Sequence, residues 1–254
     1  MRKRILLITA ALLTACGDEP TAQAGGSATS NPPPSHFTEE SGMTEGSAEP
    51  HGELTPETKY EIAMRHLNEG KADAAIGHLD LAIADRPDEP GFYALRSTAY
   101  SALNDHARAL ADIEQAVKLD PHSPGLLANR GLVYLEFSRE AEARADFDAA
   151  LELAPGYYPA LFNRGTLLVK LGDDDAALAD FSAAIESQPE TPGAWYNRAF
   201  VKEALDDLDG AIADMRKFLE LTKNPDYADL AEAHLKVWIE GPPDVELPEF
   251  PKGH

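Results

Sequence analysis

The chain carries a single cysteine, Cys16, in 254 residues. No disulfide can form within it. Cations are scarce: 22 Lys and Arg stand against 44 Asp and Glu, a formal net charge of -22. Such a surface repels phosphate and has few cations with which to release counterions, which argues against nucleic-acid binding. The acidity reads either as a solvated surface or as a field that steers in a basic partner. Aromatics amount to 7 %, while Ala and Leu recur throughout, a mix that suits close helix packing better than a β-sandwich. The eight histidines show no metal-ligating spacing such as HExxH. No Gly-rich phosphate loop or Ser, Cys or His nucleophile motif is present. The acidic runs Asp173-Asp174-Asp175 and Asp206-Asp207 lack the alternation of a calcium loop and read as solvated turns. The expectation is a protein with no metal, no cofactor and no catalytic residues.

What the chain does have begins at its first residues. Met-Arg-Lys-Arg is followed by an apolar run over residues 5–13 and by Thr14-Ala15-Cys16, the order of a secretory signal. The run is too short to span a bilayer, which takes ~20 residues. Leu13-Thr14-Ala15-Cys16-Gly17 resembles the lipobox of bacterial lipoproteins. The resemblance implies cleavage of residues 1–15, diacylglycerol on the Cys16 sulfur and acylation of the new amine. Each buried methylene contributes ~0.8 kcal/mol, so two or more chains anchor stably where one does not. In enterobacterial lipoproteins an Asp directly after the cysteine retains the protein at the inner membrane. Gly17 stands there, so the resemblance favours the outer membrane, facing the periplasm. Residues 16–54, with Gly25-Gly26 and Pro32-Pro33-Pro34, are too polar to offset chain entropy and read as a disordered tether. A coil of that length reaches on the order of 35 Å.

From Pro56 the chain repeats every 34 residues. Pro87, Pro121, Pro155 and Pro189 form one column. Ala75, Ala109, Ala143, Ala177 and Ala211 form a second, and Ala82, Ala116, Ala150 and Ala184 a third. Small residues Ala63, Ser97, Gly131, Gly165 and Ala199 form a fourth, and large ones Leu79, Ile113, Phe147, Phe181 and Met215 a fifth. Each unit holds two apolar stripes of helical period around a polar break, as at Leu171-Gly172-Asp173-Asp174. Small residues let the two helices approach closely and the large residue fills the space between them. Proline ends the second helix, and Thr55-Pro56, Ser123-Pro124 and Thr191-Pro192 open first helices.

These columns resemble the tetratricopeptide repeat, in which Trp, Leu-Gly and Tyr on the first helix precede Ala, Phe, Ala and Pro on the second. Trp195, Tyr100 and Tyr134 stand in the matching aromatic places. The resemblance implies an all-α fold, an α-solenoid of five helical hairpins over residues 56–223. Two departures stand out. Arginine replaces the pattern's Leu at 96, 130, 164 and 198, and the fifth unit has Phe218 and Lys223 in place of Ala and Pro. Residues 225–240 carry one apolar face, with Tyr227, Leu230, Ala231, Leu235, Trp238 and Ile239, and read as a capping helix packed on Phe218. The Pro-rich tail 241–254 reads as extended or disordered.

Two constellations are candidates for a role. Arg96, Arg130, Arg164 and Arg198 each precede an Asp by sixteen residues, at Asp112, Asp146, Asp180 and Asp214. The first unit lacks both, with Ile62 and His78. Joint presence and absence suggests ion pairs within a hairpin or between neighbours; the rival reading has the arginines line a groove for carboxylates. Beside them lie Asn129, Asn163 and Asn197. By the resemblance this place is near the concave surface, where asparagines bond the backbone of an extended peptide. The same groove would take Leu132, Leu135, Phe162, Thr166, Tyr196 and Phe200. Alternatively the asparagines bond neighbouring turns and the aromatics fill the inner wall. The Lys and Asn set that clamps a C-terminal carboxylate in chaperone-binding members is not present. The resemblance implies a membrane-tethered scaffold for a protein or peptide partner, such as an adaptor for peptidoglycan enzymes or a pilotin. A structural homo-oligomer and an enzyme accessory subunit are the alternatives, and the oligomeric state is not legible.

Overall fold

The computed structural model describes residues 54–241. The signal segment 1–15, Cys16, the tether up to residue 53 and the tail from 242 lie outside the described residues. Within them the chain is all helical. Eleven helices run in order: α1 (Pro56–Asn68), α2 (Ala72–Asp85), α3 (Pro90–Ala102), α4 (His106–Leu119), α5 (Pro124–Glu136), α6 (Glu140–Leu153), α7 (Tyr158–Leu171), α8 (Asp174–Ser187), α9 (Pro192–Ala204), α10 (Leu208–Leu221) and α11 (Pro225–Glu240).

Local chemistry sets these boundaries. Thr55 and Ser123 accept from the backbone N–H groups of Thr58 and Leu126, satisfying donors that a helix start leaves orphaned. Thr191 does not cap α9; its hydroxyl meets Gln188 Oε1 at 3.2 Å instead. The second helices α2, α4, α6 and α8 end two residues before Pro87, Pro121, Pro155 and Pro189, where the missing N–H stops propagation.

The tight turns inside the hairpins form a further column that the apolar pattern did not reveal. Gly70, Asn104, Ser138, Gly172 and Asp206 all sit in the left-handed region, at φ 72°, 58°, 55°, 80° and 64°. The next N–H reaches back to the first helix, as from Asp173 to Leu168 O at 2.9 Å and Asp207 to Lys202 O at 2.8 Å. This is the geometry of a Schellman end, which glycine occupies at least steric cost. Asp105, Asp173 and Asp207 then cap the following helix through their carboxylates. The acidic runs at 173–175 and 206–207 thus start and shape turns. Serine has no special tolerance of this conformation, so Ser138→Gly is expected to stabilise the fold by about 0.5–1 kcal/mol. A melting temperature that stays level or falls would sink this expectation.

The described chain divides into two compact units, 54–138 with α1 to α5 and 139–241 with α6 to α11. Within each, every helix packs on the next in chain order, as stacked hairpins that bury surface only against neighbours. Ala63, Ala75, Ala82, Ala109 and Ala116 in the first unit are fully buried, as are Ala143, Ala150, Ala177, Ala184, Ala199 and Ala211 in the second. Gly165 faces the Phe181 ring so closely that a Cβ there would lie 3.0 Å from Cε1. Where the first helix carries Ala, the filler is a slimmer or more flexible side chain: Leu79 in the cluster of Ala63, Met215 in that of Ala199. Ser97, also buried, satisfies its hydroxyl by donating to Ala109 O at 2.7 Å. In the last hairpin, Phe218 takes the Ala place and packs with Ala231 and Leu235 of α11. The solenoid thus ends on a capping helix.

Candidate functional site

The arginine column resolves into clamps that join three helices. Arg96 Nε and Nη2 donate to Asp112 at 2.7 and 2.8 Å, while Nη1 donates to Asp80 at 2.6 Å. Arg164 repeats this with Asp180 at 2.8 and 2.6 Å and Asp148 at 2.6 Å. Arg198 binds Asp214 at 2.7 and 2.9 Å and turns Nη1 to Ser182 Oγ at 3.2 Å. Each guanidinium thereby ties its own hairpin's second helix to that of the preceding hairpin, sixteen residues to either side. The forward partner was visible in the spacing. The backward one was not, because Asp80, Asp148 and Ser182 do not share a residue type.

The partners leave little for a ligand. With Nε, Nη1 and Nη2 all engaged, an incoming carboxylate would have to displace an aspartate already bound bidentately. Hydrogen bonds to Asp112 raise the Arg96 pKa, and those to Asp180 raise that of Arg164, both against the opposing effect of burial. Both cations are therefore permanent. Arg198 also lies 5.0 Å from the Trp195 ring centroid, and Lys202 Nζ adds a second cation to Asp214 at 2.9 Å. Arg130 and Asp146 fall in different units. Arg130 lies 5.8 Å from the Tyr134 ring, and the Asp146 side chain is buried. In the first hairpin, where Ile62 and His78 replace the pair, His78 stacks on His66 with centroids 5.4 Å apart. Ser182→Asp restores the acid that Arg96 and Arg164 meet, and is expected to add about 0.5–1 kcal/mol. A loss of stability would show that Asp214 and the Leu178 carbonyl, to which Ser182 donates, already meet the site's needs.

The groove expectation is corrected at three residues. Phe162 and Tyr196 are only 1 % and 2 % exposed, and Asn197 1 %. Phe162 is held between Tyr158 and Phe181, with centroids 5.7 and 5.9 Å away. The bare backbone of Gly193 on α9 closes over it, since a Cβ there would sit 3.2 Å from Phe162 Cε2. Tyr196 packs on Phe200 and Phe218, both at 4.9 Å, in the cluster that α11 completes. These aromatics are long enough to enter the seam with the following helix, and burial there outweighs presentation to a ligand. Asn197 has neither amide atom hydrogen-bonded and no surface through which to reach a peptide.

The remaining groove residues are accessible. In the first unit, Leu132 is 40 % exposed, and Asn129 and Leu135 are half-buried on the same helix, α5. In the second, Asn163, Thr166 and Phe200 are half-buried. The Thr166 hydroxyl donates to Phe162 O at 2.9 Å, leaving its methyl and the neighbouring Asn163 amide for contact. Phe200 meets His234 at 4.9 Å and Trp238 at 5.4 Å, edge to face. Burial lowers the His234 pKa below its ordinary 6.5, which favours the neutral ring in this aromatic cluster. Among the described residues no group of three or more His, Cys, Asp or Glu is placed to hold a metal. No described helix is long and apolar enough to cross a membrane.

Family models of the tetratricopeptide repeat match residues 60–124 and 162–228 in one case and 95–160 in another. The chain belongs to the tetratricopeptide repeat family. No curated protein sequence matches it, but solved structures do. TTC0263, a thermophilic tetratricopeptide protein of Thermus thermophilus, is 20% identical over 72% of this chain and 100% of its own, with a TM-score of 0.62. PilW, a widely conserved type IV pilus biogenesis factor, is 24% identical over 72% and 92%, with a TM-score of 0.59. YrrB, a tetratricopeptide protein with an unusual peptide-binding site, is 20% identical over 69% and 91%, with a TM-score of 0.51. At these identities the likeness conveys the fold. Tetratricopeptide repeats are in general non-catalytic scaffolds for protein interaction, and repeat stacks create extended surfaces suited to that role.

Proposed function

We propose that this tetratricopeptide protein is a lipid-anchored scaffold of the bacterial cell envelope that holds an extended segment or helix of another protein. The observation that carries the scaffold reading is the family match, which spans more than half of the chain. The anchor rests on Cys16, the lone cysteine, placed behind a basic and then apolar start. Gly17 in place of Asp favours the outer membrane, with the array facing the periplasm. The tether would let the hairpins search the space near the membrane without leaving it. YrrB supplies a precedent within the fold for peptide binding and PilW one for service in pilus biogenesis.

Contact is assigned separately within each unit: to Asn129, Leu132 and Leu135 in the first, and to Asn163, Thr166 and Phe200 in the second. Crosslinking from membranes tests it. Leu132→Asp in the first unit, and separately Asn163→Ala with Thr166→Ala in the second, are each expected to lose crosslinked partners that the native chain retains, at unchanged helicity. Full retention of those partners would remove the groove assignment. The anchor is read separately by metabolic labelling with an acyl probe. Label should appear on the native chain in the membrane fraction and vanish with Cys16→Ala; label that persists, or a native chain found unlabelled, overturns the anchor.

A further inference from the structure

The capping helix keeps the repeat's register. Leu230, Glu232, Ala233 and His234 of α11 stand 34 residues after Tyr196, Arg198, Ala199 and Phe200 of α9. In α7 and α9 these columns are covered by the hairpin's own second helix: Phe162 packs on Phe181, Gly165 on the same ring, Tyr196 on Phe218. Among the described residues no helix follows α11. Gly241 ends it, and the sequence beyond carries proline at 242, 243, 248 and 251, each without the N–H that a helix interior needs. The opposite side of α11, with Ala231 and Leu235, is buried in the terminal core. The side that a second helix would cover is open: Leu230 is 37 % and Val237 43 % exposed, with Ala233 exposed between them. Spacing of three and four residues puts these three on one stripe. Among the described residues the capping helix stands as a first helix without a second helix to pair with.

Charge indicates what fits there. Inside the array the seam reads acid, arginine, acid: Asp148, Arg164, Asp180. At the last seam both members present have changed sign. Arg216 of α10 stands in the column of Asp80 and Asp148, and Glu232 of α11 in the column of the arginines. Both are exposed. The third member, sixteen residues on in other hairpins, would have to be a cation to complete the pattern. An acidic helix is repelled, and so is a second copy of a chain with net charge -22, whose second helices carry Asp at that place. On the same helix the exposed acids Asp226, Asp229 and Glu240 join Glu232 and outweigh exposed Lys236, so the field of α11 is acidic.

We propose that the open face of α11 docks a basic amphipathic helix of a partner protein, in the manner of a missing second helix, with Lys or Arg opposite Glu232. Small residues on the docked helix meet Ala233, and a large one fills the space beside Leu230 and Val237. Leu230, Glu232, Ala233 and Val237 are not among the contact residues assigned above, so either assignment can fail alone.

The test uses two fluorescein-labelled 14-residue peptides and the full-length chain, read by fluorescence anisotropy. One has the α8 sequence, Asp174–Ser187. The other is the same with Asp174→Lys, Asp175→Lys and Asp180→Arg. The basic peptide is expected to bind and the acidic one not. Glu232→Arg should weaken the basic peptide by about tenfold and let the acidic one bind, because the charge preference is reversed. Ala233→Trp should block both while circular dichroism shows α11 intact. Binding of both peptides alike, binding of neither, or a preference unchanged by Glu232→Arg overturns the proposal. So does loss of binding in the Asn163→Ala, Thr166→Ala variant, which would place the peptide in the groove. Concentration-dependent dimerisation abolished by Ala233→Trp would assign the face to a second copy instead.

Discussion

Arg164→Met is expected to destabilise the array by about 3 kcal/mol, the range for breaking a largely buried ion pair by removing one partner. The size follows from what remains. Asp180 keeps a side chain only 7 % exposed, with two oxygens that lose their bidentate donor, and Asp148 loses its bond as well. Two negative charges are then left on either side of an apolar side chain. Arg164→Lys should recover only part of the loss, since an ammonium cannot match the fork that serves Oδ1, Oδ2 and a second carboxylate together. In a double-mutant cycle, Arg164→Met with Asp180→Leu should be markedly less damaging than the sum of the two single changes, because the stranded charge is gone. Urea unfolding of the four chains measures the coupling. Additive losses would mean that the pair contributes nothing beyond the volume of its parts.

The second large effect is expected at Phe181. Its ring is fully buried, meets Phe162 edge to face and fills the space left by Gly165. Phe181→Ala should cost about 3–5 kcal/mol, as aromatic truncations in packed cores do, because the glycine opposite offers no atoms to close the cavity. The reverse error is informative too. Gly165→Ala places a methyl against the ring and should cost about 1–3 kcal/mol as overpacking. Combined with Phe181→Met, the change reproduces the Ala199–Met215 arrangement of the fifth hairpin and should recover most of that loss. No recovery would mean that the two columns do not compensate in volume. Since each hairpin relies on its neighbours, a break here should also broaden the unfolding transition.

Helix positions and hairpin boundaries were legible in the sequence because they depend on neighbours within one repeat. Proline two residues past α2, α4, α6 and α8, and small residues opposite large ones, act over distances that a 34-residue period displays directly. Even so, the left-handed turn column was hidden, because Gly, Asn, Ser and Asp all serve there. Exposure of the groove candidates was not legible. Tyr196 and Phe162 have the composition of a binding surface, and whether they face a ligand or a seam depends on how close the next first helix comes. Gly193 and the cap α11 decide that from outside the residues' own hairpins.

The sequence by itself determined that the chain is a stack of short helical hairpins, because local periodicity and small-residue spacing suffice to specify each unit. The sixteen-residue spacing also suggested the Arg–Asp pairs that Arg96, Arg164 and Arg198 form. Only the tertiary structure decided that each clamp reaches backward as well, which groove residues remain accessible, and that α11 shows an open face. These depend on contacts between successive hairpins, where side chains of different types can fill the same place and no single-column pattern records them.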